Sequence, residues 1–469
     1  MAAAVKIRVS TKVMGRLRLA SQGLLGPGFD GVPEAVRAMT AMQAQDLQSA
    51  LWAVGVRVPG AGLSDVRRAL EDGSVVRSWP MRGTLHLLAP EDLHWILNIT
   101  TARMIQGTAR RHRQLEITGS DVEACRETAL GLVDGGRAAT REELFTAFEA
   151  AGQATKAQRG VHLLWMLCQS ASLVHGPLNG NQQKFVAFDR WIPSSRDVGR
   201  EEGIAELLLR YLRSHGPATL RDFAWWSSIP LTEVRRALPA VSGELVELDH
   251  DGTQYWLSPE VAALLDDGVP GQRTVLALPG FDEFVLGYTD RSIVLAPEHA
   301  QKIVPGGNGV FRKAIVAGGE VTGTWARQGS GRTAAVVPVP FDDTKPLGPA
   351  APWRGSGAQL KGTSGSLRPD GLQPAAIATL PQVWSPFWRR FLRSGRLFWH
   401  ASSGLVAFFG TLPQVWSPFL ARFLRSGRLF WHASSSPVAK GETLPATCKE
   451  AFGWKRQDVR KRGVGSGRR

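Results

Sequence analysis

The apolar positions of residues 203–258 predict three helices followed by a two-stranded hairpin. Helical spacing in IAELLLRYLRSHG stops at Gly216–Pro217, and Thr219 can cap a short second helix. Pro230 stands at the start of a third helical run, in which two arginines would face outward. Two runs of alternating polarity then flank Asp251–Gly252, the pair that a type I′ hairpin favours. Three helices and a wing of two strands are typical of a winged helix.

The same order of elements is predicted twice more, N-terminal to this segment. Residues 121–188 contain a helix from Asp121, a capping box at Thr140–Glu143 that opens a second helix, a third helix over about 156–170, and the strand runs LVHG and KFVAF. Residues 10–95 repeat the order more loosely, with helices at 33–45 and 64–71 and strands near 74–78 and 84–88. The predicted fold class is α+β, with about three tandem winged-helix units.

The chain is expected to divide into four parts. These are a first winged-helix-like region at 1–113, a second unit at 114–200, a third unit with a closing β segment at 201–343, and a low-complexity basic tail at 344–469. The tail begins rich in Gly, Pro and Ser, and its segment Thr379–Ser403 recurs almost unchanged at Thr411–Ser435. Such a basic, aromatic repeat could contact nucleic acid or a membrane surface. Two near-identical copies instead favour a poorly ordered extension.

The net charge of +15 is concentrated in this tail. Residues 344–469 carry 20 Lys and Arg against 4 Asp and Glu, whereas the other 343 residues carry 36 against 37. Within that balanced body, residues 1–113 have a net charge of +7 and residues 114–343 one of −8. If the body binds a polyanion, the first hundred or so residues are the expected surface.

Other features of the composition exclude several classes of protein. Three separated cysteines (Cys125, Cys168 and Cys448) lie outside any CxxC pattern, which argues against a disulfide framework and a Cys-based zinc site. No apolar run approaches a membrane span, and the N-terminus has no apolar signal core. Gly26–Gly31 matches GxGxxG but follows no predicted strand, and the histidines form no metal-binding spacing. We expect a cytoplasmic, nucleoid-associated protein that needs no metal ion and no organic cofactor.

Two polar segments of the first region are candidates for chemistry. In AMQAQDL, Gln43 and Gln45 lie where a helix should end, so both side chains can point into one pocket from a distorted turn. Arg82, Thr84 and His86 surround a glycine in the run WPMRGTLH. A polar surface turn would also explain the two glutamines, and an exposed hairpin strand would also explain Thr84 and His86.

Further polar residues have a structural explanation beside the functional one. The basic run containing Arg110, Arg111 and Arg113 is either a solvated helix face or a set of phosphate contacts. For Trp225–Trp226 we expect packing in the core and at an interface rather than base stacking. Asp282, Glu283, Asp290 and Arg291 could contact a ligand. An Asp–Arg ion pair that joins two winged-helix units is at least as plausible a role for them.

Four motifs follow one another along the chain: QAQD at 43–46, SWPMRGTLHLLAPEDLHWIL at 78–97, DFAWWSSIPL at 222–231 and LPGFDEFVLGYTDRSIVL at 278–295. In this order they resemble a bacterial winged-helix DNA-binding family that includes the AlkZ-like alkylpurine DNA glycosylases. The likeness covers roughly residues 10–340. It implies tandem winged helices, a Gln–apolar–Gln catalytic motif at Gln43 and Gln45, and a hairpin near the DNA that carries Arg82, Thr84 and His86. Nothing after Thr344 resembles the family.

The implied reaction is hydrolysis of the N-glycosidic bond of alkylated purines in duplex DNA, by a monofunctional glycosylase. An N7- or N3-alkylated purine is already cationic, so it leaves without a proton donor. A glutamine carbonyl can accept from the attacking water, and a glutamine amide can donate to a phosphate or sugar oxygen. Orientation and electrostatic placement are the main contributions that the enzyme then has to make. Neutral glutamine is a poor base for unmodified purines. The motif therefore predicts that cationic lesions, including bulky adducts or crosslinks, are cleaved and normal purines are not.

Two other hypotheses remain open. A non-catalytic winged-helix regulator would use Arg235 and Arg236 to read a DNA groove and would treat the glutamine motif as a turn. Alternatively, the protein has the fold of the family, but its C-terminal tail abolishes the activity. Under every hypothesis the expected partner is duplex DNA, with no membrane and no obligate protein partner, and we expect a monomer.

Overall fold

The computed structural model describes residues 9–307, 309–329 and 335–342; the predicted basic tail and Cys448 lie outside these residues. In the first region, the helix expected at 33–45 ends at Met39, because Thr40 adopts a positive φ of 67° and the chain continues as a short strand. A helix that the sequence analysis did not predict follows this strand. The elements are α1 (Thr11–Ser21), α2 (Val32–Met39), β1 (Met42–Gln43), α3 (Leu47–Gly55), α4 (Leu63–Glu71), β2 (Val76–Met81), β3 (Thr84–Leu88) and α5 (Pro90–Gln114).

The second segment contains the three helices and the hairpin expected there. Thr140 accepts from the amide of Glu143 and Glu143 accepts from that of Thr140, so the predicted capping box is present. The elements are α6 (Gly119–Leu132), α7 (Arg141–Ala150), α8 (Arg159–Gln169), β4 (Leu173–Asn179), β5 (Gln182–Ala187) and a short α9 (Phe188–Trp191).

The third segment also follows the predicted order and then adds a closing β portion. Thr219 caps its second helix, and Asp251–Gly252 turn its hairpin with positive φ at both positions. The elements are α10 (Arg200–His215), α11 (Leu220–Ser227), α12 (Leu231–Val241), β6 (Val246–His250), β7 (Thr253–Leu257), α13 (Pro259–Ala262), α14 (Leu264–Asp267), β8 (Val275–Leu278), α15 (Glu283–Leu286), α16 (Ala300–Ile303), β9 (Ala314–Ala317), β10 (Glu320–Gln328) and β11 (Ala335–Pro340).

The strands of residues 9–307, 309–329 and 335–342 form three sheets, and one of these sheets joins the first two segments. Its order is β1-β3-β2-β4-β5, with Arg77 of β2 paired to His175 of β4. The hairpins of the first two segments are therefore not independent wings. The others are the β6–β7 hairpin and a four-stranded sheet in the order β11-β10-β9-β8. This topology leaves β1 at a sheet edge, where residues from the third segment can reach it.

The third segment packs against the first through buried aromatic and aliphatic side chains. Trp95 of α5, Tyr211 of α10 and Trp226 of α11 belong to one hydrophobic cluster, and all three side chains are fully buried. Burial of such large side chains is the main source of stability at this contact. The mixed α and β architecture expected from the sequence is confirmed, and it fixes the orientation of α11 and α15 toward β1.

Candidate active site

The first glutamine of the QAQ motif lies on the edge strand β1. Gln43 is paired with His86 of β3, and His86 is paired with Ser78 of β2, so these three side chains share one face of the sheet. Gln43 is 8% exposed. Its side-chain carbonyl oxygen is buried and has no hydrogen-bond partner among the described residues. A buried acceptor without a protein partner is costly unless it serves a ligand or water.

The second glutamine is exposed, and its carbonyl end is held in place. Gln45 Oε1 accepts from the backbone N–H of Leu85 at 3.2 Å, which leaves the amide NH₂ group as the outward donor. The residue between the glutamines is fixed too, because Ala44 O accepts from Arg77 Nε at 3.0 Å and Nη2 at 2.7 Å. Burial lowers the pKa of Arg77 to about 10, although the charge of Asp46 opposes this shift. Arg77 therefore stays charged and stiffens the motif.

The predicted hairpin residues lie beside Gln43. His86 is fully buried, which is contrary to the exposed-strand explanation. Its Nδ1 lies 2.9 Å from Thr84 O and its Nε2 lies 3.0 Å from Arg82 Nη2, so Nδ1 carries the proton and Nε2 accepts. Burial and the charge of Arg82 lower the pKa of His86 to about 3, which keeps the imidazole neutral. Thr84 Oγ1 is buried without a partner among the described residues.

A carboxylate from the third segment completes this group. Glu283, at the start of α15, is 1% exposed, and its Oε1 accepts from the Gln43 backbone N–H at 2.8 Å. Its Oε2 lies 3.2 Å from Trp226 Nε1 and 3.4 Å from His215 Nε2. Burial favours the neutral acid, but the hydrogen bond from His215, the charge of Arg82 and the Gln43 amide outweigh it, so the pKa falls to about 2. A charged group thus lies directly behind the glutamine motif.

The neighbouring residue Asp282 anchors α15 to the first segment. The Asp282 carboxylate accepts hydrogen bonds from both Nη atoms of Arg57 at 2.9 Å, and both side chains are almost fully buried. Asp282 also caps α15 through the N–H of Phe284 at 3.0 Å. An Asp–Arg pair joining two segments was expected, but its arginine, Arg57, lies just after the end of α3. This pair holds Glu283 at β1.

The sequence analysis gave Glu283 no specific role and did not single out Arg57, Arg77 or His215. The signal for Glu283 was a pair of acids inside the otherwise apolar run Phe281–Leu286, where a charged side chain needs a partner. No spacing rule connects Glu283 with Gln43, because 240 residues separate them. Trp226 is fully buried as expected, whereas Trp225 is 37% exposed.

The basic run lies apart from this group. Arg110, Arg111 and Arg113 occupy the last turns of α5, whereas β3 leads into its first turn. At 1.5 Å of rise per residue, this places them roughly 30 Å from the hairpin along the helix. Arg110 and Arg113 are exposed, and Arg111 contacts Gln114 and Ala157 O at 3.4 Å. The structure therefore brings together five of the eight predicted site residues.

Among the residues placed by the structure, no group of three or more His, Cys, Asp or Glu side chains could hold a metal ion. None of their helices is both long and apolar enough to cross a bilayer.

Comparison with known proteins identifies the class to which this fold and site belong. A family model described as DNA glycosylase AlkZ-like matches residues 36–350, so the chain belongs to the AlkZ-like family of DNA glycosylases. It is 29% identical over 330 residues to a Streptomyces sahachiroi protein named interstrand DNA cross-link repair glycosylase, covering 67% of this chain and 86% of that relative. The solved structure of Streptomyces sahachiroi DNA glycosylase AlkZ matches with a TM-score of 0.62 and 26% identity, over 73% of this chain and 94% of that one. The predicted family and the predicted enzyme class, a monofunctional DNA glycosylase, are confirmed.

Proposed function

We propose that this glycosylase hydrolyses the N-glycosidic bond of cationic N7- or N3-alkylated purines in duplex DNA, with Gln43 and Gln45 as catalytic residues. The observation that carries the proposal is the complementary state of the two glutamines. Gln43 presents a buried carbonyl oxygen that has no hydrogen-bond partner among the residues placed by the structure, and Gln45 presents an exposed amide whose other end is anchored on Leu85. The Gln43 carbonyl can accept a hydrogen bond from the attacking water, while the Gln45 amide donates to a sugar or phosphate oxygen.

The site also suits a leaving group that needs no proton. His86 is neutral and donates inward to Thr84 O, and Glu283 is ionised, so neither is an acid at neutral pH. A cationic purine departs without one, whereas an unmodified purine requires acid assistance. A relative named for interstrand cross-link repair supports including bulky adducts and crosslinks among the lesions.

The proposed architecture is three tandem winged-helix units, at 1–113, 114–200 and 201–343, that bind duplex DNA as a monomer. Arg82, Thr84 and His86 lie on the DNA-facing hairpin, and Arg110, Arg111 and Arg113 add contacts to phosphates farther along the duplex. Arg110 and Arg113 are exposed at the end of α5, which leaves them accessible to the DNA backbone as these contacts require. Because DNA is found in the nucleoid, we propose that the protein acts there.

The test is release of 7-methylguanine from a duplex that carries a single N7-methylguanine, read out as abasic sites. Gln43→Ala and Gln45→Ala should each lower the single-turnover rate about 100-fold, because each removes one polar group positioned for the transition state. Gln48→Ala is the matched control, because Gln48 follows in the same segment but bonds to Asn181 at 3.3 Å. Release that survives both alanine substitutions would contradict the catalytic assignment. A truncation after Asp343 tests whether the tail impairs activity.

Although membership of the DNA glycosylase family disfavours it, a non-catalytic regulator would use Arg235 and Arg236, which are exposed on α12 as that hypothesis requires. It predicts preference for one DNA sequence and no response to a lesion. A binding selection from random duplexes would recover a sequence motif for a regulator, whereas a glycosylase would select none.

A further inference from the structure

Arg82 occupies a backbone position that disfavours arginine. With φ of 56° at Arg82 and 66° at Gly83, the β2–β3 turn has positive φ at both central residues. Asn, Asp and Gly fit the first of these positions with less strain. The arginine side chain does not extend from the turn into solvent. Instead, its guanidinium carbon lies 5.0 Å from the centre of the Trp225 ring, and its Nη2 lies 3.0 Å from His86 Nε2. What this position contributes is therefore the guanidinium beside His86.

A second arginine contacts the same indole. Arg291 has its guanidinium carbon 5.3 Å from the Trp225 ring centre and 5.0 Å from that of Phe311. Its Nε donates to Val285 O at 2.9 Å, which fixes the side chain. Both arginines are half-buried, and Trp225 is 37% exposed. Two like charges are thus held against one aromatic residue at the rim of the site.

Neither guanidinium forms an ion pair with a residue in the described part of the chain. Among the residues that the structure describes, no carboxylate oxygen lies within 4.0 Å of Arg82 or Arg291, and Arg82 Nη1 is buried without a partner. Burial lowers the pKa of both arginines, and the charge of Arg82 lowers that of Arg291 further. The acids that face them are already engaged: Glu283 by Gln43, His215 and Trp226, Asp222 by Thr219 and Thr289, and Asp290 by Ser292.

We propose that Arg82 and Arg291, held on Trp225, bind one phosphodiester group of the DNA strand next to the Gln43–His86 site. The proposal rests on the proposed function, since it takes this site to be the one that receives DNA. Guanidinium groups with unused N–H donors form charge-assisted hydrogen bonds to phosphate oxygens. The bound phosphate would supply the counter-charge that the protein leaves out. A phosphate held here would also fix the register of the lesion relative to Gln43.

The experiment pairs arginine variants with single neutral phosphates. Duplexes containing a tetrahydrofuran abasic analogue carry one methylphosphonate at successive positions on both sides of it, and their Kd values are measured with the full-length protein. For wild type, one position should raise the Kd about tenfold, as expected for the loss of one charged phosphate contact. For Arg291→Gln and for Arg82→Gln, the same methylphosphonate should change the Kd by less than about twofold.

Arg126→Gln is the matched control, because Arg126 pairs with Glu123 on α6 and contacts none of these residues. It should show the same methylphosphonate penalty as wild type. The proposal is overturned if no phosphate position is sensitive in wild type, or if the sensitive position costs as much in both arginine variants. Using two arginine variants keeps the test valid if one of them folds poorly. Because the measurement is binding to an abasic analogue, a failure of base release by wild type would count against the proposed function alone.

Discussion

Two buried carboxylates, Asp92 and Glu283, show how differently this protein treats charge in two places. Asp92, at the start of α5, accepts from Trp95 Nε1 at 2.9 Å and from Arg210 at 2.6 Å. Arg210 and Arg196 also share Glu206. In this contact between α5 and α10, every arginine meets a carboxylate.

The candidate site contains similar groups but separates them. Glu283 accepts from an amide, an indole and a neutral imidazole, while Arg82 and Arg291 lie against aromatic rings. The α5–α10 network is complete within the protein and needs no ligand. Within the described part of the chain, the site holds two arginines without an ion pair and a Gln43 carbonyl without a hydrogen-bond partner, as expected if DNA and water supply the partners. The two regions therefore differ in whether their arginines are paired with carboxylates, not in whether they carry charge.

The largest effect is expected where pairing is most complete. Asp282→Asn should reduce the free energy of unfolding by about 3–5 kcal/mol, because it leaves the fully buried Arg57 without a counterion. Urea denaturation at pH 7 measures this change. Asp92→Asn should cost less, since Arg210 is 25% exposed and retains Glu206. Equal losses of unfolding free energy in the two variants would show that the degree of burial does not determine the cost of breaking such a pair.

The neutral imidazole of His86 should make stability depend on pH. Its folded-state pKa of about 3 lies below the ordinary value of 6.5, so the unfolded chain takes up the proton first. Its contribution is therefore complete above pH 6.5 and is lost as the pH falls from there toward 3. Between pH 6.5 and 5, wild type should lose about 2 kcal/mol more than His86→Gln. Urea denaturation across this range measures the difference, and parallel curves for the two proteins would contradict the assignment.

Local sequence rules predicted most of the elements but not the contacts between segments. Capping boxes, the Asp251–Gly252 turn and helical spacing each depend on residues a few positions apart, and the structure bears out those at Thr140 and Thr219. The sheet that joins the first two hairpins depends on Arg77 and His175, which are 98 residues apart. No local pattern encodes such a pairing.

The site shows the same division. Gln43, Gln45 and the hairpin residues were found because they cluster along the chain and resemble family motifs. Glu283 was considered only as one of several acids, because its relation to Gln43 arises when α15 packs on β1. The number of winged-helix units and the unit boundaries stay predictions.

A smaller effect, specific to turnover, is expected at Glu283. Glu283→Gln places an amide opposite the Trp226 N–H and weakens the hold on the Gln43 backbone, so kcat should fall about tenfold with little change in KM. Asp92→Asn is the control, because it also neutralises a buried carboxylate that accepts from an indole. Its kcat should equal that of wild type. A matching loss in both variants would mean that Glu283 acts only on stability.

The smallest effect is expected at α12, where unpaired arginines lie in open solvent. Arg235 and Arg236 are exposed and, within the described part of the chain, form no ion pair. Water solvates such charges at little cost, so their lack of partners does not indicate a ligand as it does for half-buried Arg82. The double variant Arg235→Gln/Arg236→Gln should therefore change the rate of 7-methylguanine release by less than about twofold, although it can weaken DNA binding at low salt. Single-turnover assays at saturating protein measure the rate without interference from affinity. A loss as large as that of Gln43→Ala would place α12 in the catalytic complex and remove burial as the criterion that separates the two kinds of unpaired arginine.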